Sequence, residues 1–225
     1  MPATLSSLVP VYNEERTLKM LMQALSTACP DAEIVYVDDG STDASLSIMR
    51  ANARPSDKVI AAVHAGKGSA IRHGLMATTG EYTVIQDADL EYDPYEITLL
   101  LQKAREHPGS AVFGSRFLRP NPNIYKRFLM GNKTLTTCLN ILYGSHLTDS
   151  YTCYKLLPTH LFQQLGLMAN GFELEAEICA KCIRSHIPIH EVAISYHPRR
   201  IEEGKKIRFS DAWKGLIAMV RLRFF

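Results

Sequence analysis

The stretch Thr83-Val-Ile-Gln-Asp-Ala-Asp-Leu-Glu-Tyr-Asp-Pro94 constrains this chain most, because an apolar half runs directly into a half carrying four carboxylates. Val84 and Ile85 suit a buried central strand. An Asp-x-Asp pair at a strand's carboxyl end suits Mg²⁺ or Mn²⁺, hard cations that take oxygen ligands and bridge to phosphates. Asp87, Asp89 and Glu91 alternate along the chain. In extended backbone alternate side chains share a face, so the three are expected to converge on one ion. An acidic solvated turn closed by Pro94 has the same residues, and the upstream motifs decide between the two readings.

Upstream, Leu5 to Tyr12 reads as a buried strand, and Asn13-Glu14-Glu15 is expected to open a helix with Leu18, Leu21, Met22 and Leu25 on one face. Glu33 to Val37 is a second strand ending in Asp38-Asp39-Gly40-Ser41-Thr42-Asp43, where Gly40 can take positive φ and Asp43 can cap the next helix. Lys58 to Val63 is a third strand, followed by Gly66-Lys67-Gly68 and a helix through Ile71, Leu75 and Met76. The glycines lack the third member of a dinucleotide fingerprint and follow the third strand rather than the first. Lys67 and Arg72 at that turn could still approach a diphosphate, or the turn is a plain helix entry. Strands alternating with helices imply an α/β fold with a largely parallel sheet, whose ligands sit at the carboxyl ends of the strands.

The chain has 225 residues and 46% hydrophobic content, enough for one substantial core. It shows no run of eighteen uncharged apolar residues and no secretory leader, so a cytoplasmic location is expected. Five cysteines without framework spacing fit a reducing compartment, and Cys179-Ala-Lys-Cys182 reads as core rather than as a zinc or redox pair. The formal charge of +2 conceals an asymmetry: residues 197–225 carry eight Lys and Arg against three Asp and Glu, whereas the rest of the chain is net acidic. The tail therefore calls for an anionic partner of its own.

Val9-Pro-Val-Tyr-Asn-Glu14, Val37-Asp-Asp-Gly-Ser-Thr-Asp43, Gly66-Lys-Gly68 and Gln86-Asp-Ala-Asp-Leu-Glu-Tyr-Asp-Pro94, in that order and spacing, resemble the family 2 inverting glycosyltransferases of the GT-A fold. Within them the resemblance is to the branch that transfers sugar from a nucleotide to a polyprenyl or dolichyl phosphate. Gly114-Ser-Arg116, Asp149 to Lys155, Gly171 to Glu177, Tyr196 to Arg199 and Glu203 to Ile207 continue it. It implies a Rossmann-like, mostly parallel sheet flanked by helices, with a C-terminal amphipathic helix. The implied organisation is a GT-A domain over 1–208, its nucleotide half about 1–115 and acceptor half about 116–208, and a basic tail at 209–225. Pro10, Tyr12, Glu14 and Asp39, with Asp38 beside them, match positions that hold base and ribose. Asp87, Asp89 and Glu91 match the metal-holding positions, although relatives of the dolichyl-phosphate mannose synthase type often carry Gln where Glu91 stands. The implied donor is UDP- or GDP-linked, and no nucleic-acid partner is expected.

Downstream, Ala111 to Ser115 reads as another strand, with Arg116, Arg119, Lys126, Arg127 and Lys133 around the helical stretch Phe128 to Leu147. That stretch is either a core helix with a solvated basic face or a helix lying on a membrane. Trp213, Leu216, Ile217, Val220, Leu222, Phe224 and Phe225, mixed with Lys214, Arg221 and Arg223, suit an anionic membrane surface. Peripheral attachment to the inner face of the membrane, or docking on a separate integral membrane protein, is expected.

A phosphate monoester with a second pKa of roughly 6 is already a nucleophile at neutral pH and needs no general base. The requirement shifts to holding two anions together, with a metal on the donor and cations on the acceptor. Arg116, Arg127 and Arg199, acting with Asp89, are the catalytic candidates, and Lys133 and Lys205 join the arginines as acceptor-binding candidates. Transfer to a saccharide hydroxyl would need a carboxylate base, for which Asp149 and Glu173 are the candidates; each also fits a capping or first-turn role. A nucleotidyltransferase would show a glycine-rich, Arg-containing loop after the first strand, where this chain has Val-Tyr-Asn-Glu. A silent nucleotide-binding scaffold would not need Asp87 and Asp89.

Overall fold

The computed structural model describes residues 4–121, 126–199 and 209–224. Its strands are β1 (Leu5–Val11), β2 (Glu33–Asp39), β3 (Lys58–Ala62), β4 (Tyr82–Ile85), β5 (Ala111–Ser115), β6 (Lys155–Pro158) and β7 (Ile189–Ala193). The helices are α1 (Leu18–Ala28), α2 (Ser45–Asn52), α3 (Lys67–Leu75), α4 (Ile97–Glu106), α5 (Lys126–Tyr143), α6 (Thr159–Gln164), α7 (Leu174–Arg184) and α8 (Phe209–Phe224). One sheet runs in the order β3-β2-β1-β4-β6-β5-β7. Neighbouring strands are parallel except for β6, which runs against both β4 and β5.

The continuous apolar run Ile34 to Val37 is buried on both faces, as expected of a strand covered by helices on each side. α1 buries Leu18, Leu21, Met22 and Leu25, the helical spacing of one apolar stripe. α3 lies so close to β1 and β2 that a Cβ on Gly74 would stand 2.1 Å from Leu8 Cδ1 and 2.7 Å from Val37 Cγ2. Only glycine permits that approach.

The chain leaves β1 in one direction to build β2 and β3, then returns to add β4 on the other side of β1. Such a switch point opens a crevice at the carboxyl ends of the strands. Residues 11–14, 38–40 and 86–89 all emerge at that edge.

Asn13-Glu14-Glu15 does not open the first helix. Asn13 takes a φ of 51°, its side chain accepts from Thr42 N at 2.8 Å, and the N–H groups of residues 13 and 14 donate to Ser41 Oγ and Ser45 Oγ. These donors are satisfied across the sheet edge, so the helix starts only at Leu18.

β6 slots between β4 and β5, so the second half of the chain completes the sheet begun by the first. α8 packs on α5 and α7: Tyr143 Oη donates to Met219 O at 2.8 Å, the Arg184 guanidinium donates to Leu222 O, and Met219 is fully buried. Cys179 and Cys182 lie in the core of α7, where burial pushes the Cys179 thiol up to about 12. Among the described residues no helix is long and apolar enough to cross a membrane.

Candidate active site

Asp87 and Asp89 follow the end of β4 in the crevice. Lys67, the first residue of α3, places Nζ 2.8 Å from Asp87 Oδ1 and 2.9 Å from Glu175 Oε1. The other oxygen of Glu175 accepts from Lys155 Nζ at 2.5 Å. Asp87, Lys67, Glu175 and Lys155 thus form a row of alternating charge. Burial pushes the Glu175 carboxyl up, but Lys155 and Lys67 more than reverse this and hold it down to about 2. Glu175 lies in the Gly171 to Glu177 stretch, where sequence reasoning singled out Glu173; its spacing two residues further along gave no sign of its burial.

Burial, then the charges of Asp87 and Glu91, push the Asp89 carboxyl up to about 7 against the pull of Arg199. Asp89 is therefore short of positive charge beside it, whereas Asp87 has Lys67. Two carboxylates of hard oxygen donors in this setting fit a divalent cation, which Asp87 and Asp89 would hold.

Glu91 does not join them. Leu90 takes a φ of 59°, which breaks the extended alternation on which the three-carboxylate expectation rested. The Glu91 carboxylate turns to accept from Tyr196 Oη at 2.5 Å and Arg199 N at 2.8 Å, and its backbone oxygen accepts from His197 N. Among the described residues no three acidic, histidine or cysteine side chains converge as a metal cluster. Glu91 ties down the 196–199 segment instead.

At the β2 end of the crevice, Asp39 accepts from Ala65 N and Gly66 N, both at 2.9 Å, and lies 2.8 Å from His64 Nδ1. It shapes the turn before α3, where Gly66 has a φ of 106° and a Cβ would strike Asn170 O. Arg72 donates to the Met168 and Ala169 carbonyls and to Asn170 Oδ1 at 2.7 Å, so it secures the 168–170 segment rather than facing the crevice. Asp38 accepts from Ser41 N, and Pro10 is half-buried in β1. Tyr12 stacks on His64 with ring centroids 4.2 Å apart and planes 17° from parallel. His64 had no sequence signal beyond its place before Gly66.

Among the described residues, the candidate acceptor cations differ in their partners, although Arg116 and Lys133 both lie beside the Phe117 ring, 5.5 Å and 5.8 Å from its centroid. Arg116 is buried, donating Nε to Asp149 Oδ2 at 2.7 Å, Nη2 to Asp149 Oδ1 at 2.8 Å and Nη2 to Tyr151 O at 3.0 Å. Asp149 is fully buried in this pair, on a turn held by Glu191, which accepts from Thr148 N and Asp149 N. Glu173 accepts from Gly171 N at 3.0 Å. Arg199 reaches Glu14 Oε2 at 2.5 Å, Thr17 Oγ1 at 3.2 Å and, through Nε, Asp89 O at 2.9 Å. Lys133 is exposed on α5 with Nζ 5.8 Å from the Phe117 ring centroid. The Arg127 side chain and all of Lys205 lie outside the described residues.

A mostly parallel α/β sheet with an acidic pair at its switch point is the arrangement of GT-A transferases. Residues 6–166 match the family described as "Glycosyl transferase family 2", and the chain belongs to that family. Low-salt glycan biosynthesis hexosyltransferase Agl6 of Haloferax volcanii is 28% identical over 94% of this chain and 52% of its own length. An undecaprenyl-phosphate 4-deoxy-4-formamido-L-arabinose transferase of Photorhabdus laumondii is 32% identical over 71% of this chain and 50% of its own. The chain thus spans about half the length of these curated relatives. Glucosyl-3-phosphoglycerate synthase of Mycobacterium tuberculosis, solved with Mn²⁺, UDP and phosphoglyceric acid, superposes with a TM-score of 0.77 over 99% of this chain and 79% of its own, at 18% identity. That likeness shows the shared fold.

Proposed function

We propose that this protein transfers a sugar from a UDP- or GDP-linked donor to a polyprenyl phosphate, with inversion and with Mg²⁺ or Mn²⁺ bound. The observation that carries the reading is the cation-demanding Asp87/Asp89 pair at the β1/β4 switch point beside Lys67. Asp87 and Asp89 would hold the ion, whose chemistry is to neutralise the diphosphate and stabilise it as a leaving group. Tyr12, Glu14, Asp38, Asp39 and Pro10 surround the nucleoside end, and Lys67 faces the diphosphate. The mycobacterial neighbour's Mn²⁺ and UDP support this assignment.

The acceptor assignment rests on two supports. One relative is named for an undecaprenyl-phosphate substrate. In addition, Asp149, one of the two carboxylate candidates for activating a hydroxyl, is neutralised by its bidentate pair with Arg116. A phosphate acceptor needs no base: its oxygen attacks the anomeric carbon as the bond to the nucleoside diphosphate breaks. Lys133 and Arg199 would supply cationic surroundings for that anion, with Arg127 and Lys205 as candidates from the sequence alone, whereas Arg116 is neutralised by Asp149 and would act by holding the end of β5.

The same reading places the protein on a membrane surface. Trp213, Ile217, Val220 and Phe224 are exposed on α8 while Met219 is buried, and Lys214, Arg221 and Arg223 are exposed with them. An exposed aromatic and aliphatic face flanked by cations suits anionic lipid.

Calorimetric titration with UDP and GDP, with and without Mn²⁺, followed by transfer assays with sugar nucleotides and a short polyprenyl phosphate, tests the reading. Metal-dependent binding of one nucleotide and sugar on the lipid phosphate is the expected result. Transfer to a free saccharide hydroxyl instead would reassign the acceptor.

A further inference from the structure

Lys67 stands between two carboxylates at almost equal distances, 2.8 Å from Asp87 and 2.9 Å from Glu175. The two differ in setting. The Asp87 side chain is 23% exposed toward the crevice, whereas Glu175 is 4% exposed and joined through its other oxygen to the fully buried Lys155. A cation arriving at Asp87 would meet an ammonium already there. We propose that Lys67 is an exchangeable counter-ion and positioning residue: it neutralises Asp87 before the metal binds, then falls back on Glu175 alone when the metal takes Asp87. The inference rests on the proposed metal site.

The physical case is that the fallback leaves each buried group of the row with a hydrogen-bonding partner. Glu175 presents Oε1 to Lys67 and Oε2 to Lys155, so Lys67 keeps a carboxylate partner after losing Asp87; two ammoniums then share one carboxylate, and the surplus positive charge would face the phosphates the metal brings. Without Glu175 the ammonium would be trapped on Asp87, with no second carboxylate to receive it. The retreat also keeps a primary ammonium, with donors free to turn, beside the phosphates the metal brings. Lys67 is placed for this by the Gly66–Gly68 turn: Gly68 N donates to Asn170 O at 2.7 Å, pinning the start of α3 to the segment that leads into Glu175.

The test is titration of the full chain with MnCl₂ alone, and with MnCl₂ plus UDP or GDP, followed by calorimetry and by loss of the free Mn²⁺ electron-spin signal. Lys67→Met should bind Mn²⁺ alone roughly tenfold more tightly than the wild type, because a competing opposite charge beside a carboxylate is worth at least a unit of affinity. The charge-balanced pair Lys155→Met with Glu175→Gln, which removes both members of the buried partner and so preserves folding, should bind Mn²⁺ more weakly, since Lys67 then has Asp87 alone. Mn²⁺ affinity unchanged in Lys67→Met, with only a lower melting temperature, makes Lys67 a plain structural ion pair and overturns the exchange while leaving the metal site intact. No Mn²⁺ binding by the wild type or Lys67→Met, with or without nucleotide, overturns the metal reading and the exchange with it.

Discussion

Arg116 and Asp149 are locked together by two parallel hydrogen bonds, Nε to Oδ2 at 2.7 Å and Nη2 to Oδ1 at 2.8 Å, with both side chains almost wholly out of water. The guanidinium also lies over the Tyr196 ring, 5.0 Å from its centroid. This pair joins the end of β5 to the turn before β6 and to the 196–199 segment that borders the loop after β4.

Removing one partner strands the other charge in a buried site. Asp149→Ala should therefore cost about 3–5 kcal/mol of stability. Urea unfolding of the single variant and of the double variant Arg116→Met, Asp149→Leu measures it, and the double variant should recover most of the loss. Loss of turnover in Asp149→Asn with unchanged stability would instead mark Asp149 as a base.

Metal affinity should separate Asp89 from Glu91. Asp89→Ala should abolish metal-dependent nucleotide binding with the fold intact, because the pair at the strand end loses a ligand. Glu91→Gln should change Mn²⁺ affinity by less than about threefold, since it acts on the ion only as a nearby charge, while hydrogen exchange at residues 196–199 should speed up. Calorimetry on the two variants gives the comparison.

Acid should act through Glu175. Its folded pKa of about 2 lies below the ordinary carboxylate value, so its contribution is present above about pH 4.5 and is lost as pH falls toward 2. Unfolding midpoints measured from pH 6 down to pH 2 should fall over that window. In the Lys155→Met, Glu175→Gln variant the fall should be shallower.

Liposome binding should depend on the exposed face of α8. Lys214 and Arg221 are exposed, and a basic residue near an anionic surface is worth about 1 kcal/mol, so replacing both by Ala should weaken binding to anionic vesicles roughly thirtyfold. Co-sedimentation at two salt concentrations checks it, and the wild type should lose affinity as salt rises. Trp213→Ser should weaken binding at either salt with little effect on stability, because Trp213 is 58% exposed.

The local signals in the chain were sufficient for the alternating strands and helices, the burial of Ile34 to Val37, the stripe on α1, and the emergence of Asp39 and Asp87 at strand ends, because periodicity and turn chemistry act over a few residues. Family resemblance carried the reading to the GT-A sheet. What it left undecided was long-range. The antiparallel β6 is four residues long and pairs across more than seventy positions of sequence. Glu91 was expected beside Asp87 and Asp89 from strand alternation, but Leu90 in the left-handed region turns it toward Tyr196 and Arg199, over a hundred residues away. Glu175 acquires its role because the fold brings Lys67 to one of its oxygens and Lys155, which also donates to Thr152 O, to the other. The sequence by itself determined which groups lie at the crevice, since strand ends are encoded locally; tertiary structure alone decided which carboxylates stay open there and which are consumed, since that depends on counter-charges brought from distant parts of the chain.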